Sequence, residues 1–184
     1  VNPFVLDTLS FDEIPSLLAL QKANLKSNIR AEELSSQGFL TFPYSPKEIQ
    51  GMMEEMQQPI AKVEGQIVAY ALASSKASCL ETKLLKSVVE LADALEFKGS
   101  SLKDQRYYVM GQICIGQDSR GLGIFDALYH MHREKFASRY DCIVTEISHM
   151  NLRSLAAHRR VGFEVIHHYF DGETHWQMVA WDWK

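Results

Sequence analysis

Gln117-Asp118-Ser119-Arg120-Gly121-Leu122-Gly123-Ile124-Phe125 joins two segments of different period. Before it, Tyr107–Ile115 is rich in β-formers. After it, Ile124, Leu128, Tyr129, His132 and Phe136 recur at helical spacing. A strand that turns into a helix in this way leaves the first N–H groups of the helix unpaired, and the helix dipole favours an anion beside them. Glycine at 121 and 123 lets the backbone approach a ligand with no Cβ in the way. Arg120 adds a fixed positive charge. The stretch reads as the seat of a phosphorylated ligand.

Two common phosphate cradles do not fit. A P-loop requires Gly-Lys-Ser/Thr after the turn, and Ile124-Phe125 stand there. A dinucleotide-binding fingerprint requires a third glycine, an early strand and an acidic residue about 20 residues on. Here the turn lies two-thirds of the way along and no third glycine follows. A second stretch, Asn151-Leu152-Arg153-Ser154-Leu155-Ala156-Ala157-His158-Arg159-Arg160-Val161-Gly162-Phe163, places a small residue three after the asparagine, a histidine seven after, and Gly-Phe at eleven and twelve. Together the two stretches resemble the paired signatures of the GNAT superfamily of N-acyltransferases. The first matches the Arg/Gln-x-x-Gly-x-Gly/Ala cradle, read as Arg120 to Phe125. Phe125 departs from that pattern, whose last position is Gly or Ala. Its ring either narrows the approach to the pyrophosphate or points into the core behind the helix.

The resemblance implies an α+β fold with a mixed, mostly antiparallel central sheet flanked by helices. Two neighbouring parallel strands, 107–115 and 142–148, splay apart in it to form an acyl-CoA cleft. It implies acetyl-CoA as cosubstrate and no metal. The pyrophosphate arm falls to Arg120, Gly121, Leu122, Gly123, Ile124 and Phe125, and the pantetheine to the backbone of Ile113, Cys114 and Ile115. Asn151 anchors the cofactor or caps the helix start; Ser154 bonds the pantetheine or keeps the helix face small. The implied activity is transfer of an acetyl group to a primary amine by direct attack, with a small-molecule or peptide amine as acceptor. A rival of another class is a non-catalytic acyl-CoA-binding or sensing module. It is motivated by Phe125 and by the lack of any acidic residue in Tyr107–Ile115, where several family members carry a glutamate.

Acyl transfer needs an amine that loses a proton, a polarised thioester carbonyl and a donor for the departing thiolate. His158 stands where many family members carry a tyrosine. With an ordinary pKa of about 6.5 it can move protons near neutrality, so it is the expected donor; the plainer reading is a core histidine. For the base, Glu146 alternates with Cys142, Val144 and Ser148 on one strand face and leads Asp104 and His149. Cys114 reads as a buried structural thiol rather than a nucleophile. His167, His168 and His175 lack accompanying acidic or cysteine ligands and read as strand-edge residues. Phe42 and Tyr44 are expected to line the acceptor pocket. Trp176, Trp181 and Trp183 read as core or interface packing.

The 184 residues are read as a single domain, 1–184, with 46% hydrophobic and 23% charged residues. A net charge of −4 and the lack of a basic stripe argue against a nucleic-acid partner. No run approaches the roughly 18 apolar residues of a membrane span. Three cysteines, without metal spacing, read as reduced thiols. These features together predict a cytoplasmic protein with no membrane contact. A homodimer through the aromatic C-terminal strand is a further expectation.

Hydrophobic period and punctuation set the remaining elements. A strand is expected over 4–9, then a helix from Phe11 capped by Ser10 with Asp12 and Glu13 in its first turn. Another helical piece is expected over 30–36, and a third over 47–57 behind Ser45-Pro46. Strands 60–63 and 66–73 form a hairpin through Glu64-Gly65. A helix over 81–96 follows, an insertion that either roofs the substrate pocket or packs on the sheet edge. Then come a loop at 98–101, the strand 107–115, a helix over 121–138, a strand over 142–148, and a helix over 152–160 stopped by Gly162. A hairpin around Asp171-Gly172 closes the chain.

Overall fold

The computed structural model describes residues 3–34 and 36–184. The strands are β1 (Val5–Thr8), β2 (Pro59–Val63), β3 (Gln66–Ser75), β4 (Glu96–Phe97), β5 (Ser100–Ser101), β6 (Tyr107–Ile115), β7 (Cys142–Ser148), β8 (Glu164–Phe170) and β9 (His175–Asp182). The α-helices are α1 (Ile14–Asn24), α2 (Pro46–Glu55), α3 (Lys76–Glu81), α4 (Lys83–Asp93), α5 (Ile124–Phe136) and α6 (Leu152–Val161). Seven strands form one sheet in the order β1-β2-β3-β6-β7-β9-β8. Every neighbouring pair is antiparallel except β6 and β7. The expected mixed, mostly antiparallel α+β sheet is the one observed.

Alternation along the strands feeds two cores. On β3, Tyr70 and Leu72 join one cluster, and Ala69, Ala71 and Ala73 join the other. On β7, Cys142 and Val144 divide in the same way from Ile143 and Ile147. A strand residue and its neighbour face opposite sides of the sheet, so each face receives its own apolar set. The first face is covered by Leu17 of α1, Ile49 of α2 and Val88 of α4; the second by Leu128 and Tyr129 of α5. Each such fully buried side chain stabilises the fold by about 1.5–3 kcal/mol.

The local signals explain most boundaries. Ser45 accepts a hydrogen bond from Glu48 N–H while the Glu48 carboxylate returns to Ser45 N–H, and Pro46 opens α2. Glu64 and Gly65 both take positive φ, 49° and 78°, which gives a two-residue hairpin turn its required twist.

Four expectations need correction. The helix expected at 81–96 is α4 alone, Lys83–Asp93, because the Thr82 side chain accepts the Leu85 N–H and starts it, while Glu81 ends the separate α3 and Glu96 opens β4. The loop expected at 98–101 is a small hairpin, β4 with β5, turned through Lys98 and Gly99 at φ 52° and 78°. The helix expected at 30–36 is a single 3-10 turn, Ala31–Glu33, with position 35 outside the described residues. The helix expected to start at Gly121 starts at Ile124, because Gly123 caps it in the left-handed region. No helix among the described residues is long and apolar enough to cross a membrane.

One close contact fixes the middle of β6. A Cβ added at Gly111 would overlap Tyr44 Oη. That phenol is 3% exposed and has no hydrogen-bond partner among the described residues. Gly111→Ala is expected to lower stability by about 1–3 kcal/mol through overpacking. Tyr44→Phe removes an unsatisfied buried hydroxyl, so it should be neutral or stabilising, and in the double variant it should restore most of the Gly111→Ala loss. Equilibrium urea denaturation of the four proteins reads the coupling; additive effects would show that the two residues do not meet.

Candidate active site

β6 and β7 run side by side for only three residue pairs, Tyr107–Cys142, Tyr108–Ile143 and Val109–Val144. Beyond them the strands part. Thr145 Oγ1 donates to Met110 O at 2.8 Å where the fork opens. β6 keeps its antiparallel partner β3 to the end, through Ala69–Ile115. Gly116 N–H bonds Val68 O on β3. Since antiparallel residues alternate between facing and avoiding the partner, Cys114 faces β3, whereas Ile113 and Ile115 turn their backbone groups into the gap. Of the three residues expected to offer backbone to a ligand, Ile113 and Ile115 are therefore placed to do so and Cys114 is not. Arg120 Nε already takes Ile115 O at 3.2 Å.

The gap widens into a cleft of about 490 Å³. Ten of the eleven residues expected to hold cofactor line it; Leu122 does not, and is 42% exposed. At its far end the turn through Gly121 and Gly123, φ 82° and 81°, brings the chain into α5, with nothing within 4 Å of a Cβ built at either. The N–H groups of residues 121–126 have no acceptor among the described residues. This is an open anion seat at a helix start.

Arg120 is half-buried behind that seat. Its guanidinium bonds Asn24 Oδ1 at 2.9 Å, Gly38 O at 3.2 Å and Gln37 Oε1, all uncharged. Its charge is held in place but not neutralised; burial and the nearby Arg153 lower its pKa. Arg153, which the sequence reading passed over, lines the same cleft and forms no ion pair among the described residues. Arg160, by contrast, pairs with Asp126 at 2.5 Å. Phe125 packs edge-on against His158 and tilted against Tyr129, with ring centroids at 4.9 and 5.1 Å, so its ring sits between α5 and α6 while still bordering the cleft.

Asn151 is buried and hydrogen-bonded through both ends of its amide. Its Oδ1 accepts Ser154 N–H at 3.3 Å as the cap of α6, and its Nδ2 donates to Phe39 O at 2.9 Å. It thereby ties the 38–40 segment to the cleft wall. Phe39, Leu40, Ile113, Asn151 and Ser154 border both this cleft and a second cavity of about 80 Å³ deeper in the fork.

The second cavity holds both residues expected to act chemically, Glu146 and His158. Glu146 extends from β7 and accepts a hydrogen bond from the Tyr169 hydroxyl of β8. Burial raises its pKa, partly opposed by that bond. Asp104 and His149 do not line this cavity. Phe42 does; Tyr44 lies behind Gly111. Leu85 and Val88 of α4 form a wall of it while also packing into the core, so α4 both packs on the sheet and borders the pocket.

His158 is 3% exposed. Its Nδ1 lies 2.8 Å from Ser154 O, which can only accept, so Nδ1 carries the proton. Nε2 then accepts from Tyr129 Oη at 2.7 Å. Burial lowers its pKa to about 4. This neutral imidazole has both nitrogens engaged and no free N–H to offer as the acid expected from the sequence; it lies beside Ser154, whose Oγ is 3.2 Å from Nδ1. The Cys114 thiol is pushed up to about 12 by burial and is no nucleophile at neutral pH. Among the described residues no three His, Cys, Asp or Glu gather as metal ligands.

His158 has a buried companion on α5. Burial lowers His132 to about 3; its Nε2 faces Ala71 O at 3.2 Å and its Nδ1 faces Tyr108 Oη at 3.3 Å. Both histidines have folded pKa values below the ordinary 6.5. The unfolded chain therefore takes up protons first as pH falls. Their stabilising contribution is complete above pH 6.5 and is lost progressively toward about 4 and 3. Denaturation midpoints should drop steeply below pH 6.5, and less steeply in His158→Gln; an unchanged slope would place the lost protons elsewhere.

No family model matches the chain, and no curated protein does. Solved structures do. The ribosomal-protein-S18-alanine N-acetyltransferase of Escherichia coli aligns over 97% of this chain and 93% of its own, with TM-score 0.63 and 13% identity. A GNAT superfamily phosphinothricin acetyltransferase from Sinorhizobium meliloti, in complex with AcCoA, aligns over 98% and 88%, with TM-score 0.61 and 16% identity. The NatC complex bound to Gag peptide and CoA aligns over 97% and 98%, with TM-score 0.66 and 14% identity. The chain has the fold of the GNAT superfamily N-acetyltransferases.

Proposed function

We propose that the chain is an N-acetyltransferase that moves an acetyl group from acetyl-CoA to a primary amine. The observation that carries this reading is the β6–β7 fork, which runs from an open anion seat at one end to a lone partly buried carboxylate at the other. The unpaired N–H groups of residues 121–126, with Arg120 and Arg153, suit the pyrophosphate. The backbone of Ile113 and Ile115 suits the amides of the pantetheine arm. The likeness in fold to structures solved with AcCoA and with CoA supports the same ligand.

In this reading the thioester lies where the two cavities meet. The amine nitrogen attacks the carbonyl carbon from the Glu146 side, the nitrogen's proton passes to the Glu146 carboxylate, and the carbon–sulfur bond breaks. A carboxylate whose pKa is raised by burial is a better proton acceptor at neutral pH than an exposed one. The Ser154 hydroxyl, held by His158, donates a hydrogen bond to the departing thiolate. His158 is thus a positioning residue here.

Thiol release from acetyl-CoA across a panel of primary amines tests the reading. Amine-dependent release is expected; its absence, in protein that binds acetyl-CoA by calorimetry, would leave only a binding module. Glu146→Gln should lower kcat/KM by about 10²-fold or more, the usual share of a general base, with acetyl-CoA affinity unchanged. The wild-type rate should rise with pH through a limb lying above the ordinary carboxylate range, and that limb should vanish in the variant.

The anion seat is tested separately. Arg153→Ala removes an exposed side chain and should leave stability intact, while weakening acetyl-CoA about tenfold or more, the worth of a charged hydrogen bond. Unchanged affinity by calorimetry would show that Arg153 does not reach the phosphates.

A further inference from the structure

The second cavity also restricts which amine can enter, an inference that rests on the transferase reading above. Glu146 is the only charged side chain among the residues that line it, and no lysine or arginine is among them. The other polar groups are largely committed. Gln112 donates to Phe42 O and accepts from Tyr70 Oη, Thr145 donates to Met110 O, and Trp176 Nε1 donates to Asp171. His158 is held between Ser154 and Tyr129. What remains is an apolar wall of Leu85, Val88, Phe42 and Trp176 beside one carboxylate.

Such a wall favours an ammonium and disfavours a second carboxylate. The acid would be drawn from water beside Glu146, with no counter-charge to meet it. We propose that the acceptor is a primary amine with a compact apolar body and no carboxylate on the amine-bearing carbon. Its nitrogen faces Glu146 and its apolar body rests on Leu85, Val88 and Trp176. A free monoamine and the first residue of a peptide both present this chemistry; a free amino acid does not.

Four acceptors sharing one isobutyl group make the test: 3-methylbutylamine, leucinamide, an amidated peptide beginning with leucine, and leucine itself. Thiol release from acetyl-CoA is compared per concentration of unprotonated amine, so that differences in amine basicity cancel. Leucine is expected to show kcat/KM at least about tenfold below 3-methylbutylamine or leucinamide. The ranking of monoamine against peptide tells which source the site prefers, and either ranking supports the proposal. Leucine matching or exceeding the others would overturn it.

Thr41→Arg provides the converse. Thr41 lines the cavity from an exposed position, so the variant supplies the missing cation without disturbing the core. It should raise leucine relative to leucinamide by about tenfold; an unchanged ratio would overturn the charge argument. Thiol release with spermidine but none of the four would remove the apolar requirement while leaving the transferase standing. Release with no amine at all would remove the transferase reading itself.

Discussion

The β6–β7 fork is the constraint on which the rest of the structure depends. Buried backbone N–H and C=O groups must find partners, and a parallel pair that stops after three residue pairs leaves some without. Fraying does not explain the gap, because each arm is braced from outside. β3 pairs β6 from Ser75–Tyr108 to Ala69–Ile115, and β9 pairs β7 along its whole length, from Cys142–Asp182 to Ser148–Trp176. The sheet behaves as two supported halves hinged on Tyr107 to Val109. An extended ligand bearing amides can use the backbone of Ile113 and the N–H of Ile115 as a strand would, the Ile115 carbonyl being held by Arg120.

Charge is arranged along the fork with opposite sign at its two ends. At the mouth are Arg120, Arg153, the ion pair of Arg160 with Asp126, and the start of α5; deep inside is Glu146. The net charge of −4 gives no hint of this. What matters is that neither end is neutralised locally. Arg120 is bound by an amide side chain and carbonyl oxygens, and Glu146 by a phenol. Groups held by neutral partners keep their field for a ligand, whereas Arg160, paired with Asp126, has largely spent it.

The sheet and the glycine turn were legible because they rest on local rules. Alternation sorts Tyr70 and Leu72 from Ala69 and Ala71 without reference to any other segment. Gly121 and Gly123 take the positive φ that only glycine adopts easily. The start of α4 also carried a local sign, a threonine at 82 able to cap, whereas the short α3 before it, Lys76–Glu81, has too few apolar positions for a helical period to show. The state of His158 had no such sign. It depends on Tyr129 of α5, 29 residues away, and on the burial of both, which no spacing encodes. Arg153 did leave a trace. A cation in the first turn of a helix opposes the dipole there, an unfavourable placement that an anion bound nearby would offset.

The neutrality of His158 bears on Glu146, since both border one small cavity. A charged imidazolium there would pull the Glu146 pKa down and repel an incoming ammonium. Burial holds the ring uncharged against the Ser154 carbonyl bond that favours its charge, so among the described residues Glu146 remains the only charge lining the cavity and its pKa stays raised. A histidine at this place, fixed in one tautomer, therefore does for the site what a protonated one could not. It leaves the Glu146 end of the fork without a second charge among the described residues, and it places beside the Ser154 hydroxyl an imidazole whose pKa burial lowers to about 4.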